Sequence, residues 1–333
     1  MKFVKSILVF VLVGLCLGAT KVKAADHADF SVRVEKSTYQ VDTTISYFDL
    51  AVPTNKNVDL IVHVTNNASH EITIKGQLAQ ATTNVNGVVE YGPTKNKLTK
   101  NIPFALSDVA KFEASTKKIA AKQMADFIVH LNIPTNDYAG VVAGGLTFSD
   151  VSEQTKKQSG VFENRFAYAV GLVLHGNQAA QKNDLALKKV TATQFNSRNV
   201  ISAKINNLTS NYVNQVKLTA KLLDANQKEV LSETKENLQL APDSVFNYPL
   251  YYNQQDVKSG TYTLDLTLES KGYVWHFTRD VKITLKKAIV LNKTDVTKKP
   301  SNNLNLIYIL IGIVVVLLLI IIFLVFKRRK DEQ

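Results

Sequence analysis

The strongest constraint on the fold of this chain is an apolar run near its C-terminus. The run covers residues 306–326, carries no charge and reads LIYILIGIVVVLLLIIIFLVF. A helix rises about 1.5 Å per residue, so a helix from Leu306 to Phe326 would span about 30 Å, the thickness of a bilayer core. Four basic residues follow the run directly: Lys327, Arg328, Arg329 and Lys330. We therefore predict a transmembrane helix over 306–326 and a cytoplasmic basic tail over 327–333.

The N-terminus has the pattern of a secretory signal peptide. Lys2 and Lys5 precede a short apolar stretch at 7–17, and Val22-Lys23-Ala24 supplies small residues for cleavage. The stretch is too short to favour a second membrane span. Cleavage after residue 24 would remove Cys16, the only cysteine, and with it any disulfide, thiol nucleophile or cysteine-bound zinc. We expect residues 25–305 to lie outside the membrane, with a polar stalk at 296–305.

Between the two ends, apolar and polar residues alternate with a period of two. The clearest alternating runs are 58–65, 127–133, 216–222, 262–268 and 281–286. Each has one apolar and one polar face, as in an antiparallel strand that packs on one side. Asn86-Gly87 between Val85 and Val88 favours a type I′ hairpin. The sequence thus predicts an all-β chain with two tandem immunoglobulin-like β-sandwiches.

The predicted sandwiches cover residues 25–160 and 161–295. The polar stretch Ser152–Gly160 is expected to be a loop between them. The strand-like residues 166–174 would close the first domain or form the junction, and the second domain's own strands would begin near Asp184. Residues 107–124 are ambiguous and could hold one short helix.

Charge and motif content favour a binding protein over an enzyme. The formal net charge is +12, which fits either contact with polyanions or a solvated, lysine-rich surface. The basic residues are scattered and the chain carries an export signal, so a nucleic-acid partner is not expected. None of the six histidines is paired at metal-ligand spacing. No catalytic motif or phosphate-binding loop is present, so we expect no cofactor, and a wall-modifying enzyme with two carboxylates remains the less favoured alternative.

Several short segments carry a family resemblance. The first half contains YFDL at 47–50, TTNVNG at 82–87 and GGL at 144–146; the second half contains LKKV at 187–190, APDS at 241–244 and LNKTDV at 291–296. In this order they resemble the WxL-interacting proteins of low-GC Gram-positive bacteria. The chain differs where the family usually has a Pro-Gly-Gln turn, since Pro53-Thr54-Asn55 stands there. No LPxTG-like sortase motif precedes residue 306, so the span should be retained.

The resemblance implies a non-enzymatic adaptor at the cell surface. It implies a first domain that binds peptidoglycan and a second that binds host or extracellular-matrix molecules. It also implies partnership with secreted WxL-domain proteins. A pilus-like surface-assembly or adhesin component is the alternative.

Candidate contact residues follow from side-chain chemistry. Amide and carboxylate groups bond to sugar hydroxyls and tyrosine offers a stacking face, so the glycan-binding candidates are Asn84, Asn86, Tyr91, Asp137 and Tyr138. Asn86 and Asp137 could instead only shape turns. A second cluster could be an exposed protein-binding patch or core: Tyr248, Tyr251 and Tyr252. For Trp275, the only tryptophan, a core position is favoured over a contact role.

Overall fold

The computed structural model describes residues 29–152, 166–297 and 311–321, and within them the chain is mostly β. The first half contains eleven strands: β1 Phe30–Val34, β2 Phe48–Leu50, β3 Asn57–Asn66, β4 Ile72–Gln80, β5 Thr82–Thr83, β6 Val89–Glu90, β7 Ala110–Phe112, β8 Thr116–Ile119, β9 Met124–Asn132, β10 Val141–Asp150 and β11 Ala167–His175. One short helix, α1, covers Leu106–Val109. The ambiguous segment 107–124 thus holds the end of this helix, strands β7 and β8, and the first residue of β9.

The strands of the first half form two sheets that enclose one core. Their orders are β1-β3-β9-β7 and β2-β11-β10-β4-β8, with β5 and β6 forming a separate hairpin. Phe127 of one sheet and Phe148 of the other meet edge-on, with ring centroids 5.3 Å apart. Along β3, Leu60, Val62 and Val64 are buried, as the period-two pattern predicts.

The second half repeats this arrangement with seven strands. They are β12 Leu185–Phe195, β13 Arg198–Asn207, β14 Val213–Leu223, β15 Glu229–Leu240, β16 Val245–Tyr251, β17 Gly260–Ser270 and β18 Tyr273–Ile283. The sheets have the orders β12-β13-β16 and β15-β14-β17-β18 and share a second core. Leu264, Leu266 and Leu268 of β17 are fully buried there.

Strand β11 belongs to the first half. It pairs antiparallel with β10, where Val142 faces Leu174, and parallel with β2. Its hydrogen bonds therefore complete the first pair of sheets. The two pairs of sheets are separated by the segment between His175 and Leu185.

A second helix, α2, covers Leu285–Thr294 where the alternating pattern placed the end of a strand. Thr284 ends the strand because its side-chain oxygen accepts the Lys287 amide, which caps the helix. Ala288 and Leu291 are buried against the second core. The prediction of strand through residue 286 was wrong at its last residues, because capping overrides a short alternation.

The two predicted terminal segments lie mostly outside the described residues. Residues 311–321 of the predicted span are helical, whereas Leu306, Phe326, the basic cluster and the signal segment are not described. In the described part of the chain, no helix is both long and apolar enough to cross a membrane.

Gly144 and Gly145 lie in the middle of β10 and mark a close backbone approach. β10 keeps a regular register with β4 and β11 through both glycines, so there is no bulge. A Cβ atom on Gly145 would lie 2.3 Å from the carbonyl oxygen of Tyr91. A side chain at this position is therefore excluded by backbone atoms, which are harder to displace than a flexible side chain.

We expect Gly145→Ala to lower the free energy of unfolding by about 1–3 kcal/mol, the usual effect of overpacking. Urea unfolding followed by circular dichroism measures it. Gly92→Ala is the matched control, since its Cβ would come no closer than 3.5 Å to the Thr147 hydroxyl. Equal stabilities of the two variants would contradict the steric argument.

Candidate functional site

The hairpin β5–β6 joins the first half of the chain to the second. Its turn is built on Asn84, whose Oδ1 accepts the backbone amides of Asn86 and Val88 at 2.9 and 3.1 Å. Only Gly87 of the Asn-Gly pair has a positive φ, 72°. The turn is therefore the longer type with one left-handed glycine, and the type I′ prediction was wrong in this detail.

Buried hydroxyl groups link this hairpin to the loop between β15 and β16. The Oγ atoms of Thr83 and Ser244 lie 2.6 Å apart. The Ala241 amide donates to the Thr83 hydroxyl at 2.9 Å, and the Ser244 hydroxyl donates to the Ala241 carbonyl at 2.8 Å. Thr83, Ala241 and Ser244 are each at most 1% exposed. This closed set of hydrogen bonds satisfies every hydroxyl involved away from water.

Backbone hydrogen bonds extend the contact on both sides. The Gln239 amide donates to the Gly87 carbonyl at 2.7 Å, and the Val141 amide to the Ser210 carbonyl at 2.6 Å. Leu98 and Ser244 form an isolated bridge. The two halves therefore share a hydrogen-bonded interface with strand-like segments.

A small apolar cluster lies beside these bonds and contains Tyr91. The buried members are Ala81, Ala143, Val173 and Ala241. The hydroxyls of Tyr91 and Tyr212 lie 3.2 Å apart. Burial, followed by the proximity of Tyr91, raises the pKa of Tyr212 well above its usual range. Tyr91 is half-buried and its hydroxyl is engaged between the domains.

The other glycan-binding candidates differ in how available they are. Asn84 uses its amide nitrogen on Glu90 at 3.0 Å as well as its oxygen in the turn. Asn86 is exposed. Asp137 accepts a hydrogen bond from Asn177. Tyr138 is only 8% exposed and packs edge-on against Phe104, and burial raises its pKa to about 12, so the structure places it in the core without an open stacking face.

The tyrosine cluster of the second half is mostly core. Tyr248 is fully buried and donates to Glu233 at 2.6 Å. Burial, followed by this hydrogen bond, raises its pKa. Tyr252 is 2% exposed, and burial raises its pKa as well. Of the three tyrosines, only Tyr251 is half-buried and so remains accessible to a partner. Trp275 is likewise packed against the core and stacks on Tyr273.

Sequence reasoning missed a cleft beside β1. Its volume is about 400 Å³, and it is lined by residues 32–36 and 44–46. Arg33, Glu35 and Lys36 supply both charges, and Lys36 donates to the Ile45 carbonyl. No local sequence pattern marks these residues, because the cleft forms only where the 44–46 segment closes over β1.

A histidine at the side of this cleft is held by two carboxylates. His63 faces Arg33 across β1 and β3, and its Nδ1 lies 2.7 Å from Oδ1 of Asp126. Its Nε2 lies 3.4 Å from Oε2 of Glu35. The cleft and this pair together present donors and acceptors on one open surface. In residues 29–152, 166–297 and 311–321, no three histidine, cysteine or carboxylate groups are placed so that they could hold a metal ion.

Two family models match the chain in sequence order. The peptidoglycan binding domain of the WxL Interacting Protein matches residues 30–150, and its host binding domain matches residues 157–293. The chain belongs to the WxL-interacting protein family. It therefore carries the peptidoglycan-binding and host-binding domains of a cell-surface protein, and the interface above joins these two domains.

The other comparisons add little. No curated protein matches the chain in sequence. Among solved structures, the YadV chaperone shares 12% identity over 76% of this chain and 99% of that chain, with a TM-score of 0.29. The CupB2 chaperone of Pseudomonas aeruginosa shares 11% identity over 68% of this chain and 93% of that chain, with a TM-score of 0.26. A PapD-like domain of human CEP192 shares 8% identity over 47% of this chain and 94% of that chain, with a TM-score of 0.28. Such TM-scores support no inference about this family member.

We expect Thr83→Val to destabilise the protein by about 1–3 kcal/mol, because the buried Ala241 amide loses its acceptor. Thr82→Val is the control at the neighbouring position: the Thr82 hydroxyl is buried and has no hydrogen-bond partner in the described part of the chain. Thermal unfolding of both variants checks this. A loss of stability as large for Thr82→Val would show that the hydroxyl network is not the cause.

The burial of Asp243 at the same interface predicts that the stability of the protein depends on pH. Burial raises its pKa above the ordinary value, partly offset by a hydrogen bond from Ser210. A raised folded-state pKa means that its contribution to stability is fully present below about pH 3.8 and is lost as the pH rises through the folded pKa. We expect Asp243→Asn to be more stable than the parent at neutral pH and to flatten the fall in melting temperature between about pH 4 and pH 7.

Asp280→Asn is the control for this measurement. Asp280 also accepts a hydroxyl hydrogen bond, from Thr263 at 2.8 Å, but it is exposed. Because Asp280 is exposed, its replacement should leave the stability at neutral pH within about 0.5 kcal/mol of the parent. Identical profiles for Asp243→Asn and the parent would contradict the assignment.

Proposed function

We propose that the protein is a membrane-anchored, non-enzymatic adaptor of a Gram-positive cell surface. The first domain binds peptidoglycan, the second binds host or extracellular-matrix molecules, and the chain recruits secreted WxL-domain proteins. The observation that carries the proposal is the match of both family domains in their expected order. Both domains consist of two sheets around one core, antiparallel except for the β2–β11 pair, which supports an immunoglobulin-like class for each.

The proposed topology rests on the two ends of the sequence. A signal peptide at 1–24 exports the chain, and a helix from Leu306 to Phe326 retains it in the membrane. The basic residues 327–330 keep the C-terminus in the cytoplasm. Residues 25–305 then lie within the cell wall, next to the ligand that the first domain is built to bind.

The cleft beside β1 is the site we favour for peptidoglycan. Arg33 and Lys36 suit the carboxylates of stem peptides, and Glu35 suits amide and hydroxyl donors of peptide and sugar. Among the residues chosen from the sequence, Asn86 and Asp137 are the candidates for further glycan contacts. Tyr251 is the corresponding candidate for protein contact in the second domain.

Binding to purified peptidoglycan tests this site. We expect Arg33→Gln to weaken retention of the detergent-solubilised protein about tenfold, since a charge-assisted hydrogen bond contributes about 1.5 kcal/mol or more. Arg198→Gln, an exposed arginine of the second domain, is the matched control. Equal retention of the two variants would exclude the cleft. Release of soluble sugar by the parent would instead support a wall-modifying enzyme.

Capture of secreted proteins from the same cells tests the adaptor role. Immobilised full-length protein should retain a WxL-domain protein whether or not Arg33 is replaced, because the two ligands are proposed to use different surfaces. Failure to retain any WxL-domain protein would contradict the adaptor role and leave peptidoglycan binding intact.

A further inference from the structure

Helix α2 exposes large aliphatic side chains that the fold does not use. Leu285 is 65% exposed, Ile289 58% and Val290 51%, and Val296 just beyond the helix is 68% exposed. At 3.6 residues per turn, Ile289 and Val290 lie on the outward side of the helix, away from the buried Ala288 and Leu291, and Leu285 lies at its flank. Exposed aliphatic side chains grouped on one surface mark an interaction site more often than scattered ones do.

The orientation of this face is fixed by hydrogen bonds on the other side of the helix. Asn292 exchanges two hydrogen bonds of 2.9 Å with the backbone of Val257. The Leu291 carbonyl accepts from the Gln194 side chain at 3.1 Å, and the Val296 amide donates to the Ser197 carbonyl at 3.0 Å. These bonds hold the helix against the second domain and fix which of its side chains face outward.

The charged side chains of helix α2 have a single sign. Lys286, Lys287 and Lys293 are exposed on the helix, and residues 285–294 contain no acidic residue. Leu285 and Ile289 are one turn apart, with Lys286 and Lys293 beside them on the outward side. A basic helix with aliphatic residues on its free face is the pattern of a helix that lies in the interface of an anionic bilayer.

The position of α2 in the fold fits this occupant. β13 begins beside α2, at the turn that bonds Val296, and ends at Asn207, which donates to the Ala241 carbonyl at the domain interface. Ten strand residues span about 33 Å, so α2 and the first domain lie at opposite ends of the second domain. Nine residues, 297–305, separate Val296 from Leu306, and the ten Cα–Cα steps between them reach at most about 35 Å. The aliphatic face is thus within reach of the bilayer into which the chain would run.

We propose that the outward face of α2 docks on the anionic surface of the membrane that holds the chain. Leu285, Ile289 and Val290 enter the interface between headgroups and acyl chains, and the lysines contact lipid phosphates. This inference rests on the membrane anchoring proposed above. It adds that the second domain stands on the bilayer in a fixed orientation, rather than swinging on its stalk.

A nitroxide spin label at residue 289 tests the docking. The full chain carrying Cys16→Ser and Ile289→Cys is labelled and reconstituted in vesicles of equal parts phosphatidylcholine and phosphatidylglycerol. Collision with oxygen and with a water-soluble nickel chelate then reports depth. We expect a label at 289 to favour oxygen and a label at Val274→Cys to favour the chelate. Val274 is the matched control because it is 66% exposed and lies at the other end of β18.

Each outcome decides a separate claim. A label at 289 as open to the chelate as the label at 274 would overturn the docking while vesicle flotation still shows anchoring. Shielding of residue 289 from both reagents would mean that protein covers this face, which also overturns it. Equal depth in vesicles of phosphatidylcholine alone would overturn the role of the lysines. A chain that fails to float with vesicles would overturn the anchoring, and the docking with it.

Discussion

A buried pair of hydroxyl groups between Thr83 and Ser244 couples the two domains, and the remaining interface is arranged around it. A hydroxyl can donate and accept at once, so this pair can serve both the amide and the carbonyl of Ala241 without water. Removing the Thr83 hydroxyl would leave the buried Ala241 amide unpaired, which costs more than the bond itself contributes, whereas the Ala241 carbonyl has a second donor in Asn207. The close approach of Gly145 to Tyr91 and the turn at Gly87 bring the hairpin to the position where these bonds form.

The coupling limits where ligands can bind. Asn84 and Tyr91 have the chemistry of glycan contacts, yet their polar atoms already serve the turn and Tyr212. A ligand that needed these atoms would have to break intramolecular bonds first, whereas the cleft beside β1 offers charged groups on an open surface. The domains can therefore carry different ligands at separate places while remaining joined by one hydrogen-bonded interface.

The sequence predicted the strands better than their partners. Period-two runs such as 58–65 and 262–268 are strands because burial of one face determines both pattern and structure. The hairpin at 86–87 was predicted in the right place but with the wrong turn, since Asn86 keeps an ordinary φ when Asn84 caps the loop. The inward position of Tyr248 and the cleft at Arg33 depend on strand pairing and on a distant loop, which no local pattern encodes.

Helix α2 begins where the sequence predicted a strand, and this wrong prediction is informative. The run Val281, Ile283, Leu285 continues the alternation of β18, but the Thr284 cap turns the chain into a helix and leaves Leu285 in solvent. The alternation predicts that Leu285 is buried, but it is exposed, so packing in the core does not explain why a leucine stands at this position. On a purely soluble domain, three exposed aliphatic residues would be an aggregation hazard with no offsetting gain. On a domain whose chain continues within about 35 Å into an apolar run, the same residues gain a low-polarity environment, and the lysines beside them gain anionic headgroups.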